Sequence, residues 1–142
     1  MTKKDIIIHG PEDYEGMRRA GRLAAETLDM IAPYVQAGIT TGELDKLCDD
    51  FINARGGVSA CLGYRGYPKS VCISLNHVIC HGIPGDRKLV NGDILNIDVT
   101  VILDGWYGDT SRMYTVGKIP LKAKRLIDIT FETMWRGIEQ VR

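Results

Sequence analysis

Asn96-Ile97-Asp98-Val99-Thr100-Val101-Ile102-Leu103-Asp104-Gly105-Trp106-Tyr107-Gly108-Asp109-Thr110-Ser111 reads as two β-strands joined by a two-residue turn. Asp-Gly suits the centre of a type I′ turn, where both residues need positive φ. A turn at Asp104-Gly105 sets Leu103 opposite Trp106, Thr100 opposite Asp109 and Asp98 opposite Ser111. Side chains alternate along a strand, so paired residues share a face. Asp98, Thr100, Asp109 and Ser111 therefore project together, and Ile97, Val99, Val101 and Leu103 project oppositely. Asp98 and Asp109 become diagonal neighbours with backbones about 7–8 Å apart. Two carboxylates that close repel unless a proton or a cation lies between them. The pattern fits part of a divalent-metal site, and it also fits a plain solvated face.

On either side of the hairpin the periodicity changes. Met17, Ala20, Ala24, Leu28 and Ile31 recur at three- and four-residue steps and predict a helix over residues 11–34, with Pro11 in its first turn. Thr40-Thr41-Gly42-Glu43 has capping-box spacing and opens a second helix that ends near Gly56-Gly57. Ser70 to Leu75 reads as a strand, and Val78 to His81 as another short extended piece. Gly82-Ile83-Pro84-Gly85-Asp86 is a turn-rich loop. The hairpin spans about 93–116. A last helix begins near Pro120 with Ile127, Phe131, Met134, Ile138 and Val141 on one face. That apolar rhythm runs up to Val141 without a terminal stop signal, so the chain reads as a single domain, 1–142, cut within its last element.

The 142 residues suffice for one domain that buries about two-thirds of its unfolded surface. Hydrophobic residues make up 44% and charged residues 25%, a globular balance. Eighteen acidic and eighteen basic residues cancel, and no basic stripe appears, which argues against DNA or RNA as the primary partner. The start, Met1 to His9, holds only three consecutive apolar residues, too few for a signal-peptide core, and no stretch approaches a membrane span. The expected location is cytoplasmic. Cys48, Cys61, Cys72 and Cys80 lack Cys-x-x-Cys spacing and are expected as reduced thiols.

Only three histidines occur, His9, His77 and His81, and none follows Asp109. A catalytic metal centre takes at least three protein donors. Asp98 and Asp109 supply two, and His81 could add a third, act as a proton donor, or be an ordinary loop residue. Asp128, Glu132 and Glu139 share one side of the last helix at the spacing of a solvated face.

Four motifs then align in order and spacing. They are Gly63-Tyr64-Arg65-Gly66-Tyr67-Pro68-Lys69-Ser70-Val71-Cys72-Ile73-Ser74-Leu75-Asn76, Cys80-His81-Gly82-Ile83-Pro84, Asn91-Gly92-Asp93-Ile94-Leu95-Asn96-Ile97-Asp98-Val99-Thr100 and Gly108-Asp109-Thr110-Ser111. With Thr41-Gly42-Glu43-Leu44-Asp45, they strongly resemble the type I methionine aminopeptidases of bacteria, over the first half of that family's usual length. The resemblance implies an α/β (α+β) "pita-bread" fold with outer helices packed on an antiparallel sheet. It implies metal-dependent hydrolysis of the first peptide bond, removing the initiator methionine from nascent proteins near the ribosome.

The same resemblance implies a pair of divalent ions (cobalt, manganese, iron or zinc) bridged by water. Asp98 then resembles a ligand that grips one ion with both oxygens, Asp109 the ligand that bridges the two, and His81 the histidine that contacts substrate at the scissile bond. Tyr64, Tyr67 and Cys72, with Cys61, resemble the wall of the methionine pocket. Asn76 and Val78 resemble carbonyl donors to a monovalent cation. One histidine and two glutamates that complete the family's metal site, and a second substrate-facing histidine, have no counterpart here, so a C-terminal half or a second chain is expected to supply them.

Two other classes compete. A pita-bread module that has lost catalysis would bind partners and take up no metal, although Asp98, Asp109 and His81 are all retained. Asp109-Thr110-Ser111 also resembles the loop of an aspartic protease, where two aspartates share a proton. The preceding Trp106-Tyr107-Gly108 suits that loop poorly, and no second copy occurs.

Overall fold

The computed structural model describes residues 6–141, so Met1–Asp5 of the amino-terminal stretch and Arg142 lie outside it. Helix α1 spans Pro11–Ile31 and is followed by a 3-10 turn, Ala32–Tyr34. Pro11 takes the first helical position, where its missing N–H costs nothing, and Glu12 and Asp13 add negative charge to the positive end of the helix dipole. The Asp13 carboxylate accepts the Gly10 N–H at 3.3 Å. Ala20, Leu23, Ala24, Thr27, Leu28 and Ile31 form its buried stripe. Met17, expected on that stripe, is 57% exposed, because the stripe begins one turn later.

Helix α2 spans Thr41–Asn53. Its capping box is as the spacing predicts: the Glu43 N–H donates to Thr40 Oγ1 at 3.1 Å, and the Thr40 N–H donates to Glu43 Oε2 at 2.8 Å. Four strands follow, β1 Val58–Ser59, β2 Cys72–Leu75, β3 Ile94–Leu103 and β4 Trp106–Thr115. Strand β3 is central. β4 pairs along one of its edges, while β2 and β1 lie end to end along the other, all antiparallel.

Helices α1 and α2 cover one side of this sheet. Ile97, Val99 and Val101 are fully buried there with Leu28, Ile31, Leu44 and Ile52. The fit of α1 against β4 requires Gly108: a Cβ at that position would fall 2.2 Å from the Ala20 carbonyl carbon. Tyr114 donates its hydroxyl to the Leu28 carbonyl at 2.6 Å, and Arg112 meets Asp29 at 2.6 Å, fixing the helix along the strand.

Two expectations are corrected. Val78–His81 does not form a strand; the chain turns at Asn76-His77 and continues as irregular backbone. The left-handed Asn76, φ 53°, breaks the extended geometry, and a ladder-like contact, Ile73 N–H to Gly82 O at 2.9 Å, comes just after the segment. Helix α3 spans Leu121–Ile138, so Val141 lies beyond it and the rhythm that reaches Val141 overstates the helix. The apolar periodicity itself is present, but no residue of α3 is buried. Phe131 is 60% exposed and stacks edge-on with Trp135, also of α3.

Candidate metal and substrate site

The β3–β4 register is the one that the Asp104-Gly105 turn predicts. Leu103 pairs with Trp106, Thr100 with Asp109 and Asp98 with Ser111. Asp104 and Gly105 take φ of 51° and 82°, as a type I′ turn requires. The four polar side chains rise from the sheet face opposite α1, because strand alternation commits Ile97, Val99 and Val101 to the core. Strand β2 extends the row, since Cys72 pairs with Asp98 on the other edge of β3.

Asp98 is half-buried, and its carboxyl is pushed above the usual carboxylate range. Burial is the main cause, repulsion by Asp109 adds to it, and His81 opposes both. Among the described residues, no hydrogen bond contributes to its balance. Asp109 accepts one, from Thr100 Oγ1 at 3.2 Å. The pair therefore stands as electrostatics demands of cation ligands, close enough to repel and short of donors. Among the described residues, no group of three or more His, Cys, Asp or Glu side chains gathers closely enough to hold a metal ion. His81 as a third protein ligand, one of the options left open by its sequence position, is not supported.

Beside the carboxylates lies an open cleft of about 550 Å³, lined by Cys61, Tyr64, Tyr67, Cys72, His81 and Ile83. All five residues expected around a substrate (Cys61, Tyr64, Tyr67, Cys72 and His81) are brought together here. Cys72 belongs to both regions, facing the cleft and pairing with Asp98. Burial pushes the Cys72 and Cys61 thiols and the Tyr67 phenol up, so all three are neutral near pH 7. Neutral sulfur and aromatic surface suits an apolar, flexible side chain. All four cysteines are free thiols.

The loop carrying this wall is held by a residue that sequence reasoning placed only within a motif. Asp45 of α2 is 7% exposed and accepts the Ser70 and Val71 N–H groups at 2.9 and 3.0 Å. Asp49 accepts the Ser70 hydroxyl at 2.6 Å. A signal was available: Asp45 falls between Leu44 and Cys48 on the buried stripe of α2, where a carboxylate must find donors. Asp93 does similar work at the head of β3, accepting Val90 N–H and Asn76 Nδ2, each at 2.9 Å. Asn76 and Val78 line a second hollow of about 330 Å³. The Asn76 side chain is engaged at both ends, its Oδ1 accepting the Ile94 N–H at 3.1 Å, which leaves its main-chain carbonyl as the group a cation could use.

Comparison with known proteins gives a consistent result. The profile of metallopeptidase family M24 matches residues 15–142. A methionine aminopeptidase from Rickettsia prowazekii (strain Madrid E) is 58% identical over 137 residues, covering 96% of this chain and 53% of its own length. One from Escherichia coli (strain K12) is 60% identical over 139 residues, with the same coverage of 96% and 53%. The crystal structure of methionine aminopeptidase from Rickettsia prowazekii superposes with a TM-score of 0.95 at 58% identity, over 97% of this chain and 56% of that one. The chain thus spans about half the length of the curated relatives it matches. The expected pita-bread α/β architecture stands, with α1 and α2 on one side of an antiparallel sheet and the aspartates on the other. With its profile match running from early α1 through α3, this chain belongs to metallopeptidase family M24.

Proposed function

We propose that this chain forms one part of a methionine aminopeptidase active site, in which divalent ions held by Asp98 and Asp109 serve hydrolysis of the bond after an initiator methionine. The observation that carries the reading is the adjacency of two repelling carboxylates to a cleft walled by neutral thiols and tyrosines, with Cys72 common to both. When bound, such ions supply a Lewis acid for the scissile carbonyl and a water activated near neutral pH. Asp98 and Asp109 would hold the ions, with Thr100 orienting Asp109 through its hydroxyl.

The cleft accepts the methionine side chain between Tyr64, Tyr67, Cys61 and Cys72, and His81 stands at its edge to hydrogen-bond the substrate near the scissile bond. Asn76 and Val78 offer carbonyls to a monovalent cation in the neighbouring hollow. Two carboxylates fall short of the three donors a catalytic centre takes, so the reading requires further ligands from outside these 142 residues. The substrate arises at the ribosome, which assigns the chain to the cytoplasm beside emerging polypeptides. No helix among the described residues is long and apolar enough to cross a membrane.

The test is methionine release from Met-Ala-Ser by the full-length protein that contains this stretch. Release should stop with a chelator, return with manganese or cobalt, and be abolished by Asp98→Ala or Asp109→Ala. Release that survives chelation and both substitutions overturns the reading. Calorimetry that detects no metal uptake by the full-length protein favours a binding module. A chelator-insensitive acid optimum favours an aspartic protease.

A further inference from the structure

We propose that Tyr67 is a positioning residue whose hydroxyl clasps the Gly82 carbonyl, one residue beyond His81, and so sets His81 at the edge of the cleft. This goes beyond the role of its ring as a wall, and it rests on the reading of His81 as the substrate-facing group. His81 has φ 55°, a left-handed conformation that residues bearing a Cβ avoid. Such a conformation persists only where its surroundings over-determine it. Here the next residue is held from three directions. The Gly82 N–H donates to Ser74 Oγ at 3.2 Å. The Gly82 carbonyl accepts the Ile73 N–H at 2.9 Å and the Tyr67 hydroxyl at 2.9 Å, which uses both its lone pairs.

Gly82 also lies so close to β2 that a Cβ would fall 2.1 Å from the Ile73 carbonyl oxygen. Gly82 therefore has no room to move toward the sheet. Two of the three hydrogen bonds at Gly82 come from β2 itself, and the third comes from the Tyr67 hydroxyl, on the loop that precedes β2. The same hydroxyl lies 3.2 Å from the Val71 carbonyl at the entry to β2, the more distant of the two acceptors for its single proton. Burial pushes the phenol well above its usual range, which keeps the hydroxyl protonated and able to donate.

In the full-length, metal-loaded protein, Tyr67→Phe keeps the ring and removes only the clasp. For Met-Ala-Ser we expect kcat to fall by about 10- to 100-fold, as small misplacements of a substrate-orienting group do, with KM changed less than about 2-fold. The Ile73 and Gly82 amides should exchange with solvent faster, while Val99 in the core is unchanged. In a His81→Ala background the same substitution should lower kcat no further, because nothing remains to be positioned. An unchanged kcat with unchanged amide exchange, a rise in KM alone, or additive losses in the double variant would overturn the proposal. A parent protein inactive on methionyl peptides defeats the functional reading only, and amide exchange then still decides whether the clasp exists.

Discussion

Two pairs of aspartates in or beside the sheet stand in contrast. Asp45 and Asp93 are nearly inaccessible, yet each receives two hydrogen bonds from neighbouring amides. Burial pushes Asp45 up, and the N–H groups of Val71 and Ser70 pull it back. Asp98 and Asp109 are more accessible but poorly served: among the described residues, one hydroxyl donates to Asp109 and no hydrogen-bond donor acts on Asp98. The first pair ties loops to strands and carries its own compensation. The second is left with a deficit that a cation can fill. A buried carboxylate with its donors present is thus structural, and a half-buried one facing another carboxylate without donors points to a ligand.

The contrast can be broken most readily by activity. In the full-length protein, Asp98→Ala or Asp109→Ala should lower methionine release by more than about 100-fold, the upper end of what losing an outer partner alone would cost. Asp45→Ala should instead cost stability, about 2–4 kcal/mol in urea unfolding, because it strands two buried N–H groups. A loss under about 0.5 kcal/mol, the usual size of a neutral surface change, would show that Asp45 is not an anchor.

Thr100→Val probes the one hydrogen bond the second pair has. It should weaken metal binding by about 10-fold, the low end for a ligand-orienting group, as read by calorimetry. The smallest effect concerns pH. The folded-state pKa of Asp98 is raised, so this carboxyl favours the fold below its unfolded value of about 3.9 and loses that contribution as pH rises through the folded value. Asp98→Asn should therefore raise the Tm of the metal-free protein at pH 7, and the gain should fade on acidification toward pH 3. A lower Tm at pH 7 would mean that Asp98 is already compensated.

Much of this was legible in the residues themselves. The Thr40–Glu43 capping box opens α2 as its spacing predicts, and Asp98 and Asp109 share the face that alternation assigns. Three features were not legible. Met17 continues the helical period but lies outside the stripe that α1 buries, since periodicity does not mark where contact with the sheet begins. Val78–His81 has strand-like composition, but positive φ at Asn76 and His81 turns it away from regular pairing. α3 is amphipathic in sequence, yet its apolar face stays exposed, because periodicity names a face without naming what covers it.

The sequence by itself determined the hairpin register and the shared face of its two aspartates. A two-residue Asp-Gly turn and strict alternation are local constraints, complete within sixteen residues of Asn96–Ser111. Only the tertiary structure decided which face α1 covers, how the 61–83 segment walls a cleft beside that pair, and which carboxylates are already satisfied. Those outcomes depend on contacts between residues far apart in the chain, 15 positions for Tyr67 and Gly82, 25 for Asp45 and Ser70, and 86 for Leu28 and Tyr114. They depend also on the bare backbones of Gly82 and Gly108, whose close approaches appear only once strand and neighbour are packed together.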